Sequence, residues 1–255
     1  METTVIEAVR DHAGQTKYRQ PVFGYADAHD PRFLELKRVL PNHLLPSDLL
    51  PGAQSVFCFF LPFHQGIVEA NRRAPICARE WAIAYKETNA LIDYICERLG
   101  EKLRQLGVAA KWRPATLQFD TVTLEATWSH KSVGVIAGLG TMGLHQMLIT
   151  PQGCAGRIGS IVVGENLRAC GPVRSGEALC GYYFASGCRV CMELCPVGAI
   201  HEPVNGISVD KKRCYAHLLQ VGKYLNLEVG VEGKLDICGK CATGTCGLSA
   251  GARPA

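Results

Sequence analysis

The apolar positions divide the chain into stretches of different character. Residues 1–50 mix polar side chains with Pro21, Pro31, Pro41 and Pro46, the pattern of short helices laid over a surface rather than of an independent domain. Ser55 to Leu61 (SVFCFFL) is rich in Val and Phe and predicts a buried strand. Between Ala82 and Leu106 the spacing turns helical. Leu91, Ile95, Leu99 and Leu103 share a face, with Leu106 one residue early in phase, while Glu97, Lys102 and Arg104 lie elsewhere and Gly107 stops the helix. Val108 to Phe119 reads as extended chain broken at Pro114. Ser129 is placed to cap a short helix that ends in the glycine turn Ala137–Gly143 (AGLGTMG), and Met147–Thr150 and Arg157–Val163 read as two strands joined around Pro151-Gln152-Gly153. From about Gly171 glycine and cysteine dominate, and Asp210 is placed to cap a helix with Cys214 in its first turn.

The cysteines change the picture most. Eight of the thirteen lie in this last stretch, as Cys180-x7-Cys188-x2-Cys191-x3-Cys195-Pro196 and Cys214-x23-Cys238-x2-Cys241-x4-Cys246. Thiolates at every third or fourth residue of a tight loop can wrap a cubane, and the ending C-x2-C-x3-C-P is a ferredoxin run whose fourth cysteine serves the other cluster. Two such groups predict two [4Fe–4S] clusters with crossed ligands. Cys180, Cys188, Cys191 and Cys246 are expected to hold one, and Cys195, Cys214, Cys238 and Cys241 the other. A standard run would put a ligand at position 185, which is Ala185; Cys180 is the replacement, with Cys170 second. Paired C-x2-C units also make zinc ribbons, but eight ligands, the Cys-Pro ending and the continuation Val197-Gly198-Ala199-Ile200 favour iron. Cys58, Cys77, Cys96, Cys154 and Cys170 remain as small buried hydrophobes, with Cys154, near the glycine turn, the one candidate for a further role.

Composition narrows the class. At 255 residues, 47% hydrophobic and 20% charged, the chain has ample material for a core. Its formal charge of +4 counts every cysteine as neutral, and two oxidised clusters of about −2 each bring it near zero, so the basic balance is no sign of nucleic acid or acidic lipid. The opening METTVIEAVRDHAG carries charges where a secretory signal needs an apolar core, and the longest apolar run, Ser55 to Phe63, is too short for a membrane span. Free thiols then suit a reducing cytoplasm.

Gly138-x-Gly140-x-x-Gly143 matches the dinucleotide fingerprint, but here a helix leads in and a strand leads out, the reverse of what that fingerprint needs. The glycines either let backbone pass close to something flat or make a tight turn.

The stretch Ala137–Gly143, followed by Met147-Leu-Ile-Thr-Pro151, Gly153, Arg157 and Gly159 and then by the doubled cysteine group, resembles epoxyqueuosine reductase and the related reductive dehalogenases. The resemblance covers roughly residues 50–250. It implies an α+β chain: a nitroreductase-like, cobalamin-binding α/β domain over residues 1–170, then a ferredoxin-like double [4Fe–4S] domain over 171–255. It also implies cobalamin near Gly138, Gly140, Gly143, Leu148 and Thr150. Phe119-Asp120-Thr121 with Leu124-Glu125 is similar to the family segment bearing a catalytic aspartate, which makes Asp120 the candidate general acid if burial keeps it protonated. His130 and His145 are candidate proton donors at the same face.

Departures accompany the resemblance. Leu144-His145 stand where a Lys-Asn pair is common, Thr123 replaces an expected proline, the helical-repeat tail is missing, and Trp128–Lys131 (WSHK) marks a shorter branch. These weigh against a tRNA substrate. The expected function is a reductase that takes single electrons from a low-potential ferredoxin or flavodoxin type of donor, through two clusters and a corrinoid, to a small-molecule or nucleoside-type substrate, with no membrane partner. The alternatives are a non-enzymatic two-cluster electron carrier and a corrinoid-reactivating protein. A ferredoxin needs only about a quarter of this length, which favours a second cofactor or substrate.

Overall fold

The architecture is taken from a computed structural model, which describes residues 1–116, 119–168, 179–184 and 187–249. Cys170, Ala185 and the expected boundary between 170 and 171 lie outside the described residues.

Helix α1 (Glu2–Arg10) leads into strand β1 (Val22–Asp27), helices α2 (Pro31–Val39) and α3 (Pro46–Leu49), and strand β2 (Ser55–Pro62). Helices α4 (Gln65–Arg73) and α5 (Arg79–Gln105) follow, then strand β3 (Ala110–Trp112), helix α6 (His130–Ile136), and strands β4 (Thr141–Met142), β5 (Leu148–Ile149) and β6 (Gly156–Val163). The last part holds helix α7 (Val190–Glu193), strands β7 (Ile200–Val204) and β8 (Ile207–Val209), and helix α8 (Lys211–Leu227).

Four strands form an antiparallel sheet in the order β1-β2-β6-β3. Every residue of β2 is buried, and the period-2 geometry of a strand explains the unbroken apolar run. Phe57, Phe59 and Leu61 face a core with Leu91, Ile92, Ile95 and Leu99 of α5, while Val56, Cys58 and Phe60 face one with Val133 and Ile136 of α6. Burying each such side chain contributes about 1.5–3 kcal/mol.

A third core gathers Phe63, Trp81, Leu144, Ile149 and Cys154 with Val221, Leu225, Leu235 and Ile237, so residues from before position 170 and after 171 share one interior.

Several expectations are met. Helix α5 covers the leucine stripe, Ser129 accepts a hydrogen bond from Ser132 N–H as cap of α6, and Asp210 accepts one from Arg213 N–H as cap of α8. Three differ. Strand β1 hides in the polar first fifty residues because an edge strand pairing only with β2 needs just half its side chains inside. Strand β5 pairs with β4 rather than with β6, because Thr150 and Gly153 close a turn on each other before β6 enters the main sheet. Among the described residues of Val108 to Phe119, β3 alone is strand, with Phe119 in an isolated bridge to Ala126.

Candidate metal centre

Short elements set the cysteines. Cys191 sits on α7 and Cys214 in the first turn of α8, whose Asp210 N–H donates to Ala199 O at 2.8 Å and ties the helix start to the Cys195 loop. Cys241 lies on a 3-10 turn, Lys240–Thr243. Asn205 and Gly206, both at positive φ (50° and 78°), turn β7 back into β8 beside them.

A cavity of about 330 Å³ is lined by Cys180, Cys188, Cys191 and Cys246, together with His145 and Cys241. Burial pushes the Cys191 thiol up to about 12, and the sulfurs of Cys246, Cys180 and Cys188 add to the rise. Burial likewise raises Cys214 to about 11, with Cys195 and Cys238 adding to it, while the charge of Lys131 opposes. Cys241 is raised by burial, then by Cys238 and Cys214 and, more weakly, by Cys191 and Cys195. Cys191 thus feels Cys246, Cys180 and Cys188, Cys214 feels Cys195 and Cys238, and Cys241, which also lines the cavity, feels sulfurs of both expected sets. Thiols buried together resist ionisation unless a cation compensates, which is the condition of a thiolate metal site. Backbone donors are already aimed at two of them: Leu144 N–H at Cys180 Sγ (3.4 Å) and Ala199 N–H at Cys195 Sγ (3.2 Å). All the described cysteines are free.

The first set meets the glycine turn. His145 Nε2 lies 3.4 Å from Cys246 Sγ and 3.5 Å from Cys154 Sγ, and the two sulfurs are 3.9 Å apart. Cys246 is held well below the ordinary thiol range, first by the hydrogen bond from Cys154, then by His145 against the cost of burial; Cys154 is raised correspondingly. The Cys246 segment is fixed by Cys154 N–H to Cys246 O (2.9 Å) and Ala155 N–H to Gly247 O (3.0 Å). Arg19 completes the attachment, its guanidinium donating to Leu248 O (2.7 Å), Gln152 O (2.7 Å), Gln152 Oε1 (3.0 Å) and Phe63 O (2.9 Å).

The glycines serve the chain itself. Gly138 has φ of +79° at the end of α6. A Cβ on Gly140 would stand 1.9 Å from the Ile149 carbonyl oxygen, and one on Gly143 would stand 2.6 Å from the His145 ring. Leu148 is buried in the core with α6, and Thr150 Oγ1 donates to Gly153 O at 2.9 Å. The space beside Gly140 and Gly143 is filled by the hairpin β4–β5 and by His145, which supports the tight-turn reading of these two glycines.

Two further expected acids or donors do not line the cysteine cavity. Asp120 is exposed in a turn, where Val122 N–H (2.7 Å) and Thr123 N–H (2.8 Å) donate to its carboxylate and hold it below the usual range, opposite to a protonated general acid. The neighbouring Phe119 packs edge-on against Tyr215, beside Cys214. His130 is engaged on the sheet: Nδ1 lies 2.8 Å from Ser160 Oγ and Nε2 3.3 Å from Pro114 O. Pro114 O can only accept, so the His130 proton sits on Nε2 and the bare Nδ1 takes the Ser160 hydroxyl proton, while Ser160 Oγ accepts from Trp128 Nε1–H (3.0 Å). Burial lowers His130 to about 4, leaving a neutral structural imidazole. Of the three, only His145 reaches the cysteine cavity.

Sequence reasoning missed Lys131, which donates to Gln146 O at 2.8 Å while its charge acts on Cys214 and Cys241. Its signal was present in Trp128–Lys131 only as a branch marker. Arg19 gave no signal, because its partners are carbonyls from distant segments.

No protein-family model matches the chain. It is 31% identical over 170 residues to the epoxyqueuosine reductase of Synechococcus sp. (strain RCC307), covering 66% of this chain and 46% of that protein. A solved epoxyqueuosine reductase, in complex with an epoxyqueuosine-modified tRNA stem loop, superposes with a TM-score of 0.55 at 18% identity, covering 94% of this chain and 63% of the other. A catabolic reductive dehalogenase gives 0.56 at 17% identity, covering 93% and 30%. The structural likenesses establish a shared fold. The chain spans about half the length of the curated relatives it matches.

Proposed function

We propose, from the similarity to epoxyqueuosine reductase and the fold shared with solved epoxyqueuosine reductases and reductive dehalogenases, that the chain is an oxidoreductase of that superfamily built on two [4Fe–4S] clusters. Cys180, Cys188, Cys191 and Cys246 hold one and Cys195, Cys214, Cys238 and Cys241 the other. The observation that carries this reading is that Cys180, Cys188, Cys191 and Cys246, spread over 67 positions of sequence, line one cavity of about 330 Å³ together with Cys241.

When bound, such clusters supply one-electron storage at low potential. The chain's own residues do the rest. Leu144 N–H and Ala199 N–H point at one sulfur of each set, Lys131 offsets the negative charge around Cys214 and Cys241, and the shared core buries Cys180, Cys191 and Cys238. The partners that suit this arrangement are a low-potential donor of the ferredoxin or flavodoxin type and a small-molecule or nucleoside-type acceptor, in the cytoplasm. Among the described residues no helix is long and apolar enough to cross a membrane. One structural neighbour is described as B12-dependent; a corrinoid beside the glycine turn is the second cofactor of this reading, and no step is assigned to it.

The test is metal analysis of protein purified without oxygen. About eight irons and eight sulfides per chain are expected, falling to about four when a cysteine of either set is replaced by serine. Colourless protein loaded with zinc would overturn the proposal.

A further inference from the structure

The triangle of His145, Cys154 and Cys246 lies beside the first set but exceeds what four cluster ligands require. Its sides of 3.4, 3.5 and 3.9 Å resemble the edges of a tetrahedral Cys2His zinc site, about 3.6 Å for sulfur to nitrogen and about 3.8 Å for sulfur to sulfur. The tautomer argues otherwise. Met147 N–H donates to His145 Nδ1 at 3.1 Å, so Nδ1 is the acceptor and the proton of the neutral ring sits on Nε2, the atom facing the sulfurs. A ring bound to metal through Nε2 would carry its proton on Nδ1, against another donor. Nor do Cys154 and Cys246 suit two corners of one cubane, whose terminal thiolates stand on separate irons and much farther apart.

We infer that His145 Nε2–H and the Cys154 thiol are paired hydrogen-bond donors to the sulfur of Cys246, which raise the reduction potential of the cluster held by Cys180, Cys188, Cys191 and Cys246. The inference rests on the proposed cluster reading and deepens it. A donor to a ligand sulfur draws off negative charge, and it stabilises the reduced cluster, the more negative state, over the oxidised one. His145 is the stronger donor, since a thiol donates weakly. Both are positioning residues. They are aimed by the turn: Gly143 leaves room for the ring, and Gly143 N–H to Met147 O (2.9 Å) with Gln146 N–H to Gly143 O (2.8 Å) fixes its base. Leu144 N–H to Cys180 Sγ adds a third donor to the same four, so the segment after the glycines forms a polar lip over one cluster and not the other.

The experiment is an EPR-monitored redox titration of the full chain with both clusters in place, together with iron counts. His145→Leu and Cys154→Ala are each expected to keep all the iron and to shift one cluster to lower potential, His145→Leu by more, while the second cluster stays where it was. His145→Gln and Cys154→Ser, which retain an N–H or O–H donor, should recover part of the shift. Unchanged potentials in His145→Leu, or loss of about four irons in Cys154→Ala, would overturn the inference; the latter would make Cys154 a ligand. Wild-type protein without iron would defeat the cluster reading itself, an outcome visible before any variant is made.

Discussion

Replacing Gly140 by alanine separates a glycine kept for the chain's own packing from one kept for a ligand. The added Cβ would stand 1.9 Å from Ile149 O, 2.7 Å from Ile149 C and 3.1 Å from Thr150 Cα, all backbone atoms that no rotamer change can move. Relief needs a separation of about 1 Å between β4 and β5, whose pairs are Thr141 with Ile149 and Met142 with Leu148. Overpacking of this kind costs about 1–3 kcal/mol, and a ladder hydrogen bond lost with it about 1 kcal/mol. Together they lower stability by about 2–4 kcal/mol, or roughly 5–15 °C in Tm for a chain of this size. Thermal unfolding followed by circular dichroism reads the change. Gly66→Ala is the control, since its nearest atom would be 3.5 Å away and it lies in α4, where alanine is the better helix former. A Tm for Gly140→Ala within 2 °C of the wild type would refute the reasoning and return the bare Cα to the service of something outside the chain.

The sheet and the caps give further expectations. Ser160→Ala removes the acceptor for Trp128 Nε1–H and the donor to His130 Nδ1 in a buried setting, and should cost about 2–4 kcal/mol in urea unfolding. Because His130 is lowered to about 4 when folded, the unfolded chain takes up its proton first as the medium acidifies. The stability it contributes is complete above about pH 6.5 and is lost as pH falls towards 4, a slope that His130→Gln should flatten in unfolding curves across that range. Asp210→Ala should cost about 1 kcal/mol through the lost cap and, with Cys214 in the first turn, should speed iron release to a chelator from the second set while sparing the first.

What the sequence made legible follows from where the information is local. A helix cap and a leucine stripe are each written within a few residues, so α5, α6 and α8 could be read directly. Strand β1 could not, because its identity depends on β2, some thirty residues away, accepting its edge. The glycine turn shows the limit most clearly. Spacing alone left two readings of Gly140 and Gly143, and the arrival of Ile149 and the His145 ring supports the tight turn. Asp120 was hard to read for a related reason: a carboxylate's protonation depends on burial, and its neighbours in sequence are turn-formers that leave it exposed. His130 and His145 look alike in the chain, yet Ser160 and Pro114 occupy one while the other is left facing sulfur.

The Arg19 clamp has a consequence for assembly. It reaches across 229 positions to Leu248, and Cys246 rests on the backbone of Cys154 and Ala155. The Cys246 segment is thus seated by Arg19, Cys154 and Ala155, all contributed by stretches far before it in the chain. On the two-cluster proposal, iron meets a berth held together by hydrogen bonds of its own, unlike a zinc finger, which folds only around its metal.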